Sequence, residues 1–150
     1  MNTSETSHLD ITVVVPLYNE DESIPELHAW IKRVMSEHQF SHEIIFVDDG
    51  STDQSWPIIE QLSQRDPAVH GIKFRRNYGK SPALFCGFRA AKGEVVITMD
   101  ADLQDSPDEI PELYRMIKEE GYDLVVIGSR GLGKIKGIIM GSISQQVAQE

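Results

Sequence analysis

Apolar runs of strand length alternate along this chain with segments in which apolar residues recur every three or four positions. Ile11–Pro16, Glu43–Asp48, Val69–Phe74, Glu94–Met99 and Asp123–Ile127 read as strands rich in Val and Ile. Between them, residues 22–36, 53–64, 80–92 and 108–120 carry the helical period. In the first of these, Ile24, Leu27, Ile31 and Val34 share one face. Pro25, Pro82 and Pro111 fall in first turns, where the missing N–H costs nothing. Continuous rather than alternating apolar strands imply burial on both faces, and hence a parallel sheet covered by helices on both sides. The pattern predicts one α/β domain over residues 1–150, three-layered, doubly wound and Rossmann-like. Its five-stranded parallel sheet is expected in the order 3-2-1-4-5. Residues 1–9 are mostly polar and are expected to form a frayed, disordered tail.

Ligands of such sheets collect at the carboxyl ends of the strands, and the unusual residues of this chain fall there. Strand one runs into Pro16-Leu17-Tyr18-Asn19-Glu20, strand two into Asp48-Asp49-Gly50-Ser51-Thr52-Asp53. Strand three runs into Arg75-Arg76-Asn77-Tyr78-Gly79-Lys80, and strand four into Asp100-Ala101-Asp102-Leu103-Gln104. Two readings of the last run stand side by side. Asp is a poor strand former but a good turn and cap residue. Alternatively, two carboxylates at alternating positions offer hard oxygen donors to a divalent cation carrying a phosphate. Likewise Asp49-Gly50-Ser51 makes a turn unaided, Tyr18 can be rim packing, and Arg75 and Arg76 can be a solvated edge. Convergence favours chemistry: one rim receives an aromatic face, several carboxylates and three cations, as a metal-bound nucleoside diphosphate requires.

Charge and cysteine content narrow the partners. The net charge of -10 leaves no basic footprint for nucleic acid. An acidic chain that handles phosphate needs a metal, backbone amides or a few local cations. The single cysteine, Cys86, excludes an internal disulfide and reads as a small buried residue. No apolar run approaches the ~20 residues of a membrane span, and no signal peptide is legible, so a cytoplasmic location is expected.

Four motifs carry a resemblance: Val15-Pro16-Leu17-Tyr18-Asn19-Glu20, Phe46-Val47-Asp48-Asp49-Gly50-Ser51-Thr52-Asp53, Asn77-Tyr78-Gly79-Lys80 and Met99-Asp100-Ala101-Asp102-Leu103-Gln104-Asp105. In this order and spacing, residues 10–122 resemble the nucleotide-sugar-binding half of a family 2 glycosyltransferase of GT-A fold, nearest the polyprenyl-phosphate sugar transferases. The resemblance implies that Pro16, Tyr18 and Glu20 line a nucleoside pocket, with Tyr18 against the base. It implies that Asp49 accepts a hydrogen bond from a base N–H and that Lys80 lies near the pyrophosphate. Asp100 and Asp102 would bind Mg²⁺ or Mn²⁺ on the diphosphate, assisted by Gln104. The expected ligand is a UDP- or GDP-sugar.

Beyond Tyr122 the family's acceptor half and its catalytic base are expected, but the chain ends within 28 residues. Residues 123–149 resemble another family, the universal stress proteins. Their ATP-loop spacing is matched by Gly128, Gly131, Gly141 and Ser142, whose backbone would cradle phosphate. Charge shifts too, from a net -11 before residue 123 to +1 after it. These observations predict an engineered fusion joined near Gly121–Val126, with weak or absent transfer activity. The rival expectations are an ATP-binding stress-protein-like module and a structural chimera with no ligand. An exposed fifth strand would be an open edge for a homodimer.

Overall fold

The computed structural model describes residues 8–120 and the backbone of residues 124–126. The elements follow in the expected alternation: β1 (Leu9–Leu17), α1 (Ile24–Glu37), β2 (His42–Asp48), α2 (Ser55–Arg65), β3 (Val69–Lys73), α3 (Lys80–Ala90), β4 (Gly93–Thr98), a 3-10 turn (Pro107–Glu109), α4 (Ile110–Glu120) and β5 (Leu124–Val126). All the strand pairings are parallel. Four strands run β3-β2-β1-β4, and β5 adds three residues along the outer side of β4. Of the expected strand 123–127, residues 124–126 are described and pair with β4.

The central strand explains the layering. Ile11, Val13 and Val15 of β1 point to one face and Val14 to the other, and all four are fully buried. Odd positions of β1 join Ile44 and Phe46 of β2 and Val95 and Ile97 of β4 in the larger core. Helices α1, α2 and α4 cover that face with Ile24, Leu27, Ile31, Ile59, Leu62, Ile110 and Leu113. The smaller core contains Val14, Ile45, Val47 and Val96 and is closed by Ala83 of α3, with Leu84 and Phe88 beside it. Gly87 lets α3 approach closely, because a Cβ there would sit 2.4 Å from Val14. Cys86, expected to be buried, is only half-buried.

Two boundaries differ from expectation for a visible reason. Leu9, expected in the frayed tail, pairs with Gly93 in the sheet. Asp10 secures that start: its N–H donates to Ser41 O, and its carboxylate accepts the Ser41 N–H at 3.0 Å. Residues 1–7 of the expected tail lie outside the described residues. The second helix starts at Ser55 rather than 53, because the Asp53 carboxylate accepts the Ser55 N–H at 2.8 Å and caps the turn from outside. Among the described residues, no helix is long and apolar enough to cross a membrane.

Away from the strand ends, Asp66 ties α1 to the turn before β3. His28 Nε2 lies 2.8 Å and Lys32 Nζ 3.1 Å from its carboxylate, and the Ala68 N–H donates to it at 3.0 Å. Partial burial acts to raise its pKa, but the bonds from His28, Ala68 and Lys32 outweigh burial and hold it down to about 2. A depressed carboxylate stabilises the fold above its ordinary pKa and loses that contribution as pH falls through the folded value. Denaturant titrations from pH 4.5 to pH 2 should show the unaltered chain losing about 2 kcal/mol more than Asp66→Ala over that window. Parallel curves for the two proteins would contradict this.

Candidate functional site

Parallel strands bring every carboxyl end to one edge, and the four connecting loops there hold one another. Asn19 (φ +54°) is the hub of the first two. Its N–H donates to Ser51 Oγ at 2.8 Å, and its side-chain oxygen accepts the Thr52 and Asp53 N–H groups at 2.8 and 3.2 Å. The Glu20 N–H donates to Ser55 Oγ at 3.0 Å, and the Gln54 N–H to the Asp21 carboxylate at 3.1 Å. This lacing presents Tyr18 and Glu20 on fixed backbone. The Glu20 carboxylate accepts the Ser23 hydroxyl at 3.0 Å.

Asp48 and Asp49, adjacent in sequence, are separated by the strand's alternation. Asp48 follows Ile44 and Phe46 inward and is fully buried, where its Oδ1 accepts the Ser51 N–H at 2.9 Å. Asp49 instead lines the cleft. Its carboxylate accepts the Tyr78 N–H at 2.7 Å and the Gly79 N–H at 3.0 Å, so it also fastens the second loop to the third. Gly50 allows that approach. Its φ is +82°, and a Cβ would fall 2.3 Å from the Arg76 carbonyl carbon.

The cleft at this edge has a volume of about 250 Å³. It is lined by Pro16, Leu17, Tyr18, Glu20, Asp49, Lys80, Ala83, Asp100, Ala101 and Asp102. Pro16, Tyr18, Glu20, Asp49, Lys80, Asp100 and Asp102 are thus brought together as the sequence reading anticipated. Tyr18 is 45 % exposed, which leaves its ring free to stack on a ligand. Lys80 Nζ lies 2.6 Å from Asp100 Oδ1, so a cationic group already meets that carboxylate. Asp100 and Asp102 offer hard oxygen donors to a divalent cation at the same place.

Two sets of expected contributors stand outside the cleft lining. Gln104 does not line the cleft; its backbone N–H donates to Asp102 Oδ1 at 3.2 Å and its side chain faces solvent. Arg75 and Arg76 do not line it either. The Arg76 guanidinium stacks 4.8 Å from the centre of the Tyr78 ring, leaving Lys80 as the cleft's cation among the described residues. Separately, among the described residues His8, Asp10 and Glu94 form a three-donor cluster at the opposite, amino end of the sheet. Gly128, Gly131, Gly141 and Ser142 lie outside the described residues.

The sequence reading gave no role to Asp105 or Ala83. Ala83 is fully buried beneath the cleft floor, one turn into α3, with nothing in its type to mark it. Asp105 is 4 % exposed, and its Oδ2 accepts the Asp100 N–H at 2.9 Å. Burial pushes its pKa up to about 6; the Asp100 N–H opposes this, while the charges of Asp100 and Asp102 add to it. Its signal in the sequence was a third acid five residues after the first.

With this geometry in place, known proteins are informative. The model of the family "Glycosyl transferase family 2" matches residues 12–137. The match crosses the expected junction at Gly121–Val126, so the expected fusion and engineered origin find no support. An undecaprenyl-phosphate 4-deoxy-4-formamido-L-arabinose transferase from Proteus mirabilis is 44% identical over 121 residues, covering 80% of this chain and 36% of that protein. Among solved structures, a mannosyltransferase from Pyrobaculum calidifontis in complex with GDP-Man and Mn²⁺ aligns with a TM-score of 0.61 and 26% identity. It covers 78% of this chain and 34% of that one. S. aureus TarS in complex with UDP-GlcNAc aligns with a TM-score of 0.60 and 25% identity, covering 77% of this chain and 33% of that one. The chain therefore spans about a third of the length of the relatives it matches.

The contact of Gly50 with the third loop makes a direct prediction. Gly50→Val forces a β-branched residue into positive φ and against backbone, and should cost about 3 kcal/mol. A shift of the urea midpoint with unchanged slope would measure it, and an unshifted midpoint would show that the loops do not meet this closely.

Proposed function

This chain belongs to glycosyl transferase family 2, and on that footing we propose that its cleft binds the nucleoside diphosphate of a UDP- or GDP-sugar together with Mg²⁺ or Mn²⁺. One observation carries the reading: Tyr18, Glu20, Asp49, Lys80, Asp100 and Asp102, drawn from four strand ends, line a single cleft. In this reading Tyr18 stacks on the base, with Pro16 and Glu20 beside it. Asp49 already holds two backbone N–H groups, and a carboxylate has lone pairs left for a base N–H. Lys80 and the Asp100–Asp102 pair face the diphosphate. A bound divalent cation there would stabilise the charge that develops on the departing diphosphate. The relatives solved with UDP-GlcNAc and with GDP-Man and Mn²⁺ support this ligand class.

Donor binding is the part of glycosyl transfer this segment serves. We assign the acceptor to the same chemical class as the named relative's, an undecaprenyl phosphate.

Titration calorimetry with UDP, GDP and ATP, each with and without Mn²⁺, tests the reading. UDP or GDP should bind in a Mn²⁺-dependent manner, and Asp102→Ala should weaken that binding on the order of 10- to 100-fold. Preference for ATP irrespective of metal, or silence towards all three nucleotides, would overturn it.

A further inference from the structure

We propose that Asp105 is a positioning residue, which holds the Asp100–Asp102 turn in the shape that accepts the cation. The inference rests on the metal–nucleotide reading of the cleft and deepens it.

The turn has a problem to solve at its first residue. The Met99 N–H still bonds Val14 O at 3.1 Å, which carries the β1–β4 ladder one residue past Thr98. Beyond it, the Asp100 N–H has left the sheet ladder, and a backbone donor without a partner is costly. Asp105 supplies the acceptor at 2.9 Å. The backbone reverses in between at Leu103, whose φ is +68°. Asp102 is braced separately by the Gln104 N–H on its Oδ1. The stretch from Asp100 to Asp105 is thus a closed loop, with one carboxylate tying its ends.

Asp105 is itself anchored. Ser106 caps the following turn by accepting the Asp108 N–H, Pro107 is buried, and Ile110 is fully buried in the larger core. Asp105 therefore joins the fixed start of α4 to the carboxylate pair at the mouth of the cleft. What the loop requires at this position is an acceptor for the Asp100 N–H, held on the fixed start of α4.

Two variants separate positioning from general support. Asp105→Ala removes the acceptor; Asp105→Asn keeps an oxygen for the Asp100 N–H. Mn²⁺ binding is read by electron paramagnetic resonance, and UDP and GDP binding by calorimetry with and without Mn²⁺. Thermal melting checks the fold. Asp105→Ala should weaken Mn²⁺-dependent nucleotide binding on the order of tenfold, and Asp105→Asn should recover most of it. Metal-free nucleotide binding should change by less than about twofold, since Tyr18, Glu20 and Asp49 sit on other loops. Should Asp105→Ala fail to fold, Asp105→Glu takes its place; it keeps the charge, shifts the oxygen by one methylene and must show the same metal-selective loss. Equal Mn²⁺ affinity in the variant and the unaltered chain would overturn the inference while leaving the cleft's function intact, as would equal losses with and without metal. If the unaltered chain shows no Mn²⁺-dependent binding, the reading of the cleft fails first and takes this inference with it.

Discussion

Burial of β1 on both faces is the constraint from which the rest follows. A strand with Ile11, Val13, Val14 and Val15 all inaccessible must have helices above and below and a paired strand on either side. Parallel neighbours satisfy that demand here, and parallel strands need crossover helices between them. The crossovers deliver every strand's carboxyl end to the same edge. The cleft is a consequence of that arrangement.

At that edge the sheet's hydrogen bonding stops, and several acidic and amide side chains take over as acceptors for backbone N–H groups. Asn19 receives two from the second loop, Asp49 two from the third, and Asp105 one from Asp100. The carboxylates around the cleft divide between those that build its walls and those that face its interior. Asp49 does both, and the Asp100–Asp102 pair faces inward with Lys80 against it. Asp49, Asp100, Asp102 and Asp105 each place at least one oxygen against a backbone N–H or Lys80, which offsets part of this like charge. On the reading proposed above, a divalent cation would balance the charge left around Asp100 and Asp102.

The strands and helices were legible because their periods differ and their apolar faces are long. The order β3-β2-β1-β4 agrees with the doubly wound expectation. Of the candidate site, the residues that line the cleft from a strand end were legible by type and position: Tyr18, Glu20, Asp49, Lys80, Asp100 and Asp102. Gln104 was misplaced because its backbone, not its side chain, braces Asp102. Arg76 was misplaced because an exposed guanidinium lowers its energy by stacking on Tyr78. The change of family expected near Gly121–Val126 rested on glycine spacing in residues 128–142, whereas the family match runs on to residue 137.

The sequence by itself determined the alternation of elements, the parallel sheet and the edge at which chemistry is concentrated, because these depend on periodicity and on local backbone preference. Tertiary structure alone decided which acid serves which purpose. Asp48 and Asp49 are neighbours in the chain, yet one enters the core and the other the cleft, because successive residues of a strand point to opposite faces. Asp105 lies in the same run as Asp100 and Asp102, yet becomes their support, because the reversal at Leu103 brings its carboxylate back to the Asp100 N–H. Such roles arise from contacts between loops and from the path of the turn, and those distances are set only when the sheet has brought the strand ends together.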